Sequence, residues 1–308
     1  MTTIGTSKSG VRKKALICGA GELGKEVILG EGWHMQYGGP HAEPNCIRNA
    51  EKNHPKGIDY KHCTLYVSLE PCSHYGKTPP CAELIIKKGI GRVVVGCLDP
   101  NPKVAGRGVK MLKDAGIEVV VGVLEEECKE LNKRFICLQE KKRPYVILKW
   151  AQTADGYIDC RLEAKGERRK AKGPLVISTP LLKQLVHQQR AENMAIMVGT
   201  RTVLLDNPKL LTTHWSGRNP IRITLDRHGV LPADSKIFSD ESETIVYREN
   251  TDWTFILEDL AKRNIHSVLV EGGARLLNTI IESGVYDEVH VEVGDGLGLS
   301  VEGLEFRD

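Results

Sequence analysis

The stretch Leu69-Glu-Pro-Cys-Ser-His-Tyr-Gly-Lys-Thr-Pro-Pro-Cys-Ala82 holds two cysteines nine positions apart, the second directly behind a proline pair. Proline is tolerated in the first turn of a helix, so Pro79-Pro80 predicts a helix opening at Cys81. A helix N-terminus lowers a thiol pKa and favours the thiolate that binds metal. Upstream, Gly38-Gly-Pro-His-Ala-Glu43 adds an imidazole and a carboxylate two positions apart. His41, Cys72 and Cys81 make a borderline-soft donor set that suits Zn2+ and leaves a fourth position open for water. Glu43 as a fourth ligand would close that site. Beside the ligand set, its carboxylate can take the water's proton.

Outward from this stretch the chain alternates strand-like and helix-like runs. Thr64–Leu69, Arg92–Cys97 and Glu118–Gly122 are rich in β-branched residues, with helical segments over Cys81–Lys88 and Gly106–Ala115 between them. Such alternation predicts an α/β domain around a central sheet. A charged helix over Glu125–Glu140 leads to a junction at Arg143-Pro144. Beyond it, strands are expected at 145–150, 195–198, 221–225, 244–247, 267–270 and 288–293, and helices at 179–190 and 274–283, which makes a second α/β domain. The Lys-, Arg-, Glu- and Gly-dense segment 161–173 reads as a surface loop.

With 308 residues the chain has room for about two domains. A formal net charge of +3 gives no basis for nucleic acid binding, and no apolar run reaches a membrane span. Nine cysteines at irregular spacings, with no secretory signal, read as reduced thiols, so the cytoplasm is the expected compartment. A closed structural zinc site would need four ligands in close pairs, and no fourth partner stands at such a spacing. Cys46, Cys63, Cys97, Cys128, Cys137 and Cys160 read as small hydrophobic filler.

The spacing resembles the H-x-E…P-C-x-x-C signature of zinc deaminases, with a longer insert between the cysteines. More closely, the chain resembles the bifunctional deaminase/reductase family of riboflavin biosynthesis. The resemblance rests on Gly38–Glu43, Leu69–Ala82, Asp99-Pro-Asn-Pro-Lys-Val-Ala-Gly-Arg-Gly108, Leu148-Lys149, Asp155-Gly156, Thr202-Val-Leu-Leu-Asp-Asn-Pro208 and Val270-Glu-Gly-Gly273. It implies a cytidine-deaminase-like three-layer domain followed by a dihydrofolate-reductase-like domain. The first would remove the exocyclic amine of a diaminopyrimidinone ribosylamine 5′-phosphate with zinc, Glu43 shuttling the proton. The second would use NADPH to reduce the ribosyl group to a ribityl chain. His74, Lys77 and Asn101 would hold the substrate of the deaminase. In the reductase the resemblance points to Ala151, Val176, Thr202, Asp206, Gly273, Ala274, Arg275, Leu276, Leu277, Asn278 and Thr279 for the cofactor. It points to Pro174, Arg190, Leu210 and Glu271 for the substrate. Independently, Glu271-Gly-Gly-Ala between a strand and a helix can present free N–H groups to a phosphate. The expected partner is a small phosphorylated pyrimidine, with no nucleic acid and no membrane, and a homodimer is left open.

The chain also departs from that family. Residues 1–27 lack its opening helix and Pro-Asn-Pro motif. In Thr3–Thr6 and Ala15–Val27 they instead resemble the start of an ATP-grasp phosphoribosylglycinamide formyltransferase. Gly19-Ala-Gly-Glu-Leu-Gly24 is read without a nucleotide site, because the rest of a βαβ unit does not follow. Ala15–Cys18 is expected to pair with Val27–Leu29 and replace a lost sheet edge. The expected divisions are therefore 1–27, a deaminase domain over 28–143 and a reductase domain over 144–308 whose last strands are missing. Thr213 and Pro174 stand where the family usually has arginine and serine. Two other readings are a nucleoside or nucleotide deaminase alone, and a catalytically impaired zinc-binding chimera.

Overall fold

The computed structural model describes residues 14–20, 26–35, 38–76, 78–101, 104–154, 156–159, 177–239, 242–294 and the backbone of 302–303. The chain divides into two compact units between Lys141 and Lys142.

The first unit runs β1 (Lys14–Ala20), β2 (Glu26–Trp33), α1 (Ala42–Asn53), β3 (Thr64–Leu69), α2 (Cys81–Lys88), β4 (Arg92–Cys97), α3 (Arg107–Asp114), β5 (Glu118–Val121) and α4 (Glu125–Lys141). Its five strands lie in the order β2-β1-β3-β4-β5. The β3, β4 and β5 strands are parallel, and β1 is antiparallel to both β2 and β3. Strand side chains alternate between faces. Ile17, Leu65, Val67, Val93 and Val95 meet Ala42, Cys46 and Ile47 of α1, Ile85 of α2 and Leu112 of α3 in one core. No α4 side chain joins that cluster, and α4 packs on β3 and β4 from the other side, which completes three layers. Close approach of α1 to β2 depends on Gly32, where a Cβ would lie 2.2 Å from the Cys46 backbone nitrogen. This packing holds the N-terminal turn of α1, with His41 and Glu43, over the sheet.

One expectation needs correction. Ala15–Cys18 does pair with its neighbour in a hairpin that forms one edge of the sheet, but in a register opposite Ile28–Gly32 and not Val27–Leu29, with β2 as the outermost strand. The reason is apolar burial. Ala15 and Ile17 are buried, whereas β2 exposes Val27, Ile28 and Glu31 and can tolerate an edge.

The second unit runs β6 (Tyr145–Thr153), β7 (Tyr157–Asp159), α5 (Pro180–Glu192), β8 (Ala195–Val198), α6 (Thr200–Asp206), β9 (Ile221–Leu225), β10 (Thr244–Tyr247), α7 (Trp253–Lys262), β11 (Ser267–Val270), α8 (Ala274–Ser283), β12 (Glu288–Gly294) and β13 (Glu302–Gly303). Six strands in the order β10-β9-β8-β11-β6-β12 form an all-parallel sheet, and β13 pairs with β7. A parallel sheet is covered on both faces, which is why β8 and β11 are continuously buried. The α7 and α8 helices pack on one face through Ile256, Leu260, Leu277 and Ile280. Ile196 and Val198 turn to the other face and meet Val203 of α6. The sequence reading missed α6 and α7. The seven residues of α6 are too few to show a period, and α7 is started by a cap, Asp252 accepting the N–H of Phe255 at 3.1 Å. The loop expected at 161–173 lies outside the described residues.

Candidate active sites

In the first unit, α1 delivers His41 as its N-cap and Glu43 in its first turn, and α2 begins at Cys81 behind Pro80. The loop after β3 brings Cys72 beside them. The His41 Nδ1 lies 3.5 Å from Cys72 Sγ and 3.4 Å from Cys81 Sγ, and the Cys81 N–H points at Cys72 Sγ across 3.3 Å. All three donor atoms fall within 4.8 Å of one another. Bonds of about 2.3 Å to sulfur and about 2.0 Å to nitrogen around a tetrahedral zinc place N and S roughly 3.5 Å apart. The residues therefore fit zinc, and their number leaves one coordination position open.

Electrostatics point the same way. Hydrogen bonding from Cys81 and from His41 lowers the Cys72 thiol to about 4. The Cys81 thiol is raised, first by sharing its proton with Cys72, then by burial and by the nearby Glu43 carboxylate. Two thiolates and a carboxylate this close need a cation to be negative together.

A cavity of about 200 Å³ opens on this cluster, lined among others by His41, Glu43, Glu70, Cys72, His74 and Asn101. His74 and Asn101, expected to hold substrate, thus share one space with Glu43, which is 6% exposed. Lys77 lies outside the described residues. Asp99 and Phe135 also line the cavity and were not singled out from the sequence. Phe135 comes from a charged helix that gives no local hint of a pocket.

In the second unit a larger cavity, about 780 Å³, lies at the carboxyl ends of β6, β8, β9 and β11. Open parallel sheets bind ligands at such ends. Of the residues expected to touch cofactor or substrate, Ala151, Thr202, Asp206, Glu271, Gly273, Ala274, Arg275, Leu276 and Thr279 line it. Arg190 reaches it through Glu271, donating Nε to Oε1 at 2.9 Å and Nη2 to Oε2 at 2.6 Å. Leu277 instead belongs to the buried core and Asn278 stands off the lining, because successive residues of α8 turn to different faces. Leu210 is buried against Ile196 and Val203. Val176 and Pro174 lie outside the described residues. Lys149, Arg201, Arg227 and Trp253 also line the cavity. Isolated charges carry no sequence signal of a shared wall, so these were not expected. The volume suits a dinucleotide's working end, and the N-terminus of α8, capped at Gly273, offers N–H groups to a phosphate. The guanidinium groups of Arg201 and Arg227 supply matching positive charge.

Fold and sites together define a class, a zinc-binding deaminase domain joined in one chain to a cofactor-dependent parallel α/β domain. Residues 6–97 match the cytidine and deoxycytidylate deaminase zinc-binding region, and residues 144–294 match the RibD C-terminal domain. The chain is 37% identical to the riboflavin biosynthesis protein RibD of Aquifex aeolicus over 305 residues, covering 91% of this chain and 82% of that protein. It is 34% identical to the Escherichia coli protein of the same name, covering 90% and 81%. Among solved structures, Acinetobacter baumannii RibD superposes with a TM-score of 0.82 at 34% identity, covering 96% of this chain and 84% of that one. A Thermotoga maritima diaminohydroxyphosphoribosylaminopyrimidine deaminase/5-amino-6-(5-phosphoribosylamino)uracil reductase superposes at 0.81 with 38% identity, covering 96% and 85%.

The chain belongs to the RibD family of riboflavin biosynthesis enzymes, which combine a zinc-dependent deaminase with an NADPH-dependent reductase. The reading as a deaminase alone leaves the match over 144–294 without an explanation. Among the described residues no helix is long and apolar enough to cross a membrane.

Proposed function

We propose that the first unit deaminates a diaminopyrimidinone ribosylamine 5′-phosphate and that the second reduces the deaminated product's ribosyl group to a ribityl chain. The observation that carries the first half is the convergence of His41, Cys72, Cys81 and Glu43 on one cavity. His41, Cys72 and Cys81 hold the metal, which when bound supplies Lewis-acid activation of water. Glu43, buried in the first turn of α1, takes the proton of the attacking water and returns it to the departing amine. His74 and Asn101 orient the ring, and the charge of Lys77 is assigned to holding the substrate by the family resemblance alone.

In the second unit the cofactor, when bound, supplies a hydride. The α8 N-terminus and Thr202 hold its phosphates, with Ala151, Asp206 and Thr279 along the same wall. Glu271, oriented by Arg190, faces the substrate at the mouth of β11. We assign the deaminase to residues 28–143 and the reductase to 144–308, a boundary two residues from the division between the compact units at Lys141 and Lys142. The substrate is a small phosphorylated pyrimidine, and the compartment the cytoplasm.

The test is a coupled assay on purified, zinc-loaded chain supplied with the diaminopyrimidinone phosphate and NADPH. Ammonia release followed by NADPH oxidation is the expected result. Zinc binding with neither activity would select the impaired-scaffold reading instead.

A further inference from the structure

Glu70 lines the smaller cavity, is 3% exposed and precedes Cys72 by two positions. Its carboxylate accepts three backbone N–H groups from the region between β4 and the first turn of α3. Asp99 N donates to Oε2 at 3.2 Å and Gly106 N at 2.9 Å, while Val109 N donates to Oε1 at 3.1 Å. Asn101 belongs to the same loop and is tied into it, its N–H donating to Asp99 Oδ1 at 2.9 Å. A second contact, from the start of α3, meets the same Glu70-Pro71 segment. Gly108 passes so close that a Cβ there would lie 2.0 Å from the Pro71 carbonyl oxygen and 3.3 Å from Glu70 Oε1.

Charge-assisted bonds to a buried carboxylate are among the stronger ones, and removing such an acceptor leaves buried donors unsatisfied. Here three donors depend on one side chain. The Glu70-Pro71-Cys72 segment carries a metal ligand, and the loop it grips carries Asn101. The β3–β4 pairing ends with the bond from the Glu70 N–H to the Cys97 carbonyl at 2.9 Å, and beyond it the Glu70 carboxylate ties the Cys72 segment to the Asn101 loop.

We propose that Glu70 is a positioning residue for deamination, which locks the Asn101 loop to the Cys72 segment so that substrate ring and metal are held in one register. This rests on the reading of Asn101 as a substrate contact. Glu70 is no metal ligand in this arrangement, because both of its oxygens face backbone amides.

The test uses the zinc-loaded full chain. In Glu70→Gln one carboxylate oxygen becomes an N–H donor that confronts N–H donors. The expected result is unchanged zinc content, unchanged NADPH oxidation on deaminated substrate, a deaminase KM raised about tenfold or more, and a much smaller change in kcat. Asn101→Ala should raise KM similarly, and the double variant should show little further rise, since the two act through one contact. A lower melting temperature with KM unchanged, loss of zinc, or additive effects in the double variant overturns the proposal. If Asn101→Ala alone leaves KM unchanged, the substrate-contact reading fails and the proposal falls with it. If Asn101→Ala raises KM and Glu70→Gln does not, only the positioning role fails. Should Glu70→Gln not fold, Gly108→Ala keeps the carboxylate but pushes the loop away, and it must give the same rise in KM with zinc retained. A normal KM in that variant also overturns the proposal.

Discussion

The Arg190 guanidinium grips the Glu271 carboxylate with two parallel bonds, 2.9 and 2.6 Å long, with only 16% and 12% of the two side chains exposed. A third bond runs from Arg190 Nη1 to the Leu211 carbonyl at 3.2 Å. Breaking a buried pair from one side strands the remaining charge. Arg190→Ala should therefore cost the second unit about 3–5 kcal/mol in urea unfolding. The double change Arg190→Met with Glu271→Gln should cost clearly less, because no buried charge remains. A single-variant loss below about 1 kcal/mol would mean that the pair behaves as an exposed one.

Glu43→Gln separates metal binding from proton transfer. The variant should keep its zinc, since Glu43 lies beside the ligand set and not in it. Ammonia release should fall by about 10²–10⁴-fold, the usual worth of a positioned acid–base group. NADPH oxidation on deaminated substrate should be untouched. Unchanged ammonia release would refute the role given to Glu43.

Removal of zinc by a chelator should abolish deamination and spare reduction, because the ligands and the larger cavity belong to separate compact units. Added zinc should restore activity. Cys81→Ser should lower the metal content measured by elemental analysis, as a hydroxyl is a poor substitute for a thiolate toward zinc. A stoichiometric metal content in Cys81→Ser with full activity would contradict the ligand assignment.

His187 should give the second unit a pH-dependent stability. Burial first, and then the charges of Arg190 and His214, push its imidazole below 6.5 despite the opposing pull of Glu271. Its Nδ1 also accepts the Thr213 N–H at 3.1 Å, which requires that nitrogen to be unprotonated. The unfolded chain takes up the proton near pH 6.5, the folded chain only at a lower pH. Unfolded molecules thus hold more protons in between, and stability falls as pH drops below about 6.5, levelling off beneath the folded value. Urea unfolding across this window should show the loss in the parent chain and a flatter profile in His187→Gln.

The strands β3, β4, β8, β9, β10 and β11 were legible with the limits the structure has, because short β-branched runs between turn residues are local signals. The start of α2 was legible from Pro79-Pro80. The α1 helix was not assigned, since Glu43-Pro44-Asn45 interrupts any apolar period at its start, yet its first turn carries the proton-transfer residue. The register of the β1–β2 hairpin was misjudged because it is set by burial across the whole domain, which no window of residues contains.

Ligand chemistry, the number of domains and the likeness to a deaminase joined to a reductase follow from residue types and their spacing, properties that a chain carries before it folds. That Glu271 takes Arg190 for a partner, that Glu70 turns its charge to three amides of a distant loop, and that Arg227 and Trp253 share a wall with Glu271 are of another kind. Each depends on which strand ends lie side by side, and that order is set by long-range packing, so it appears only once the sheets have formed.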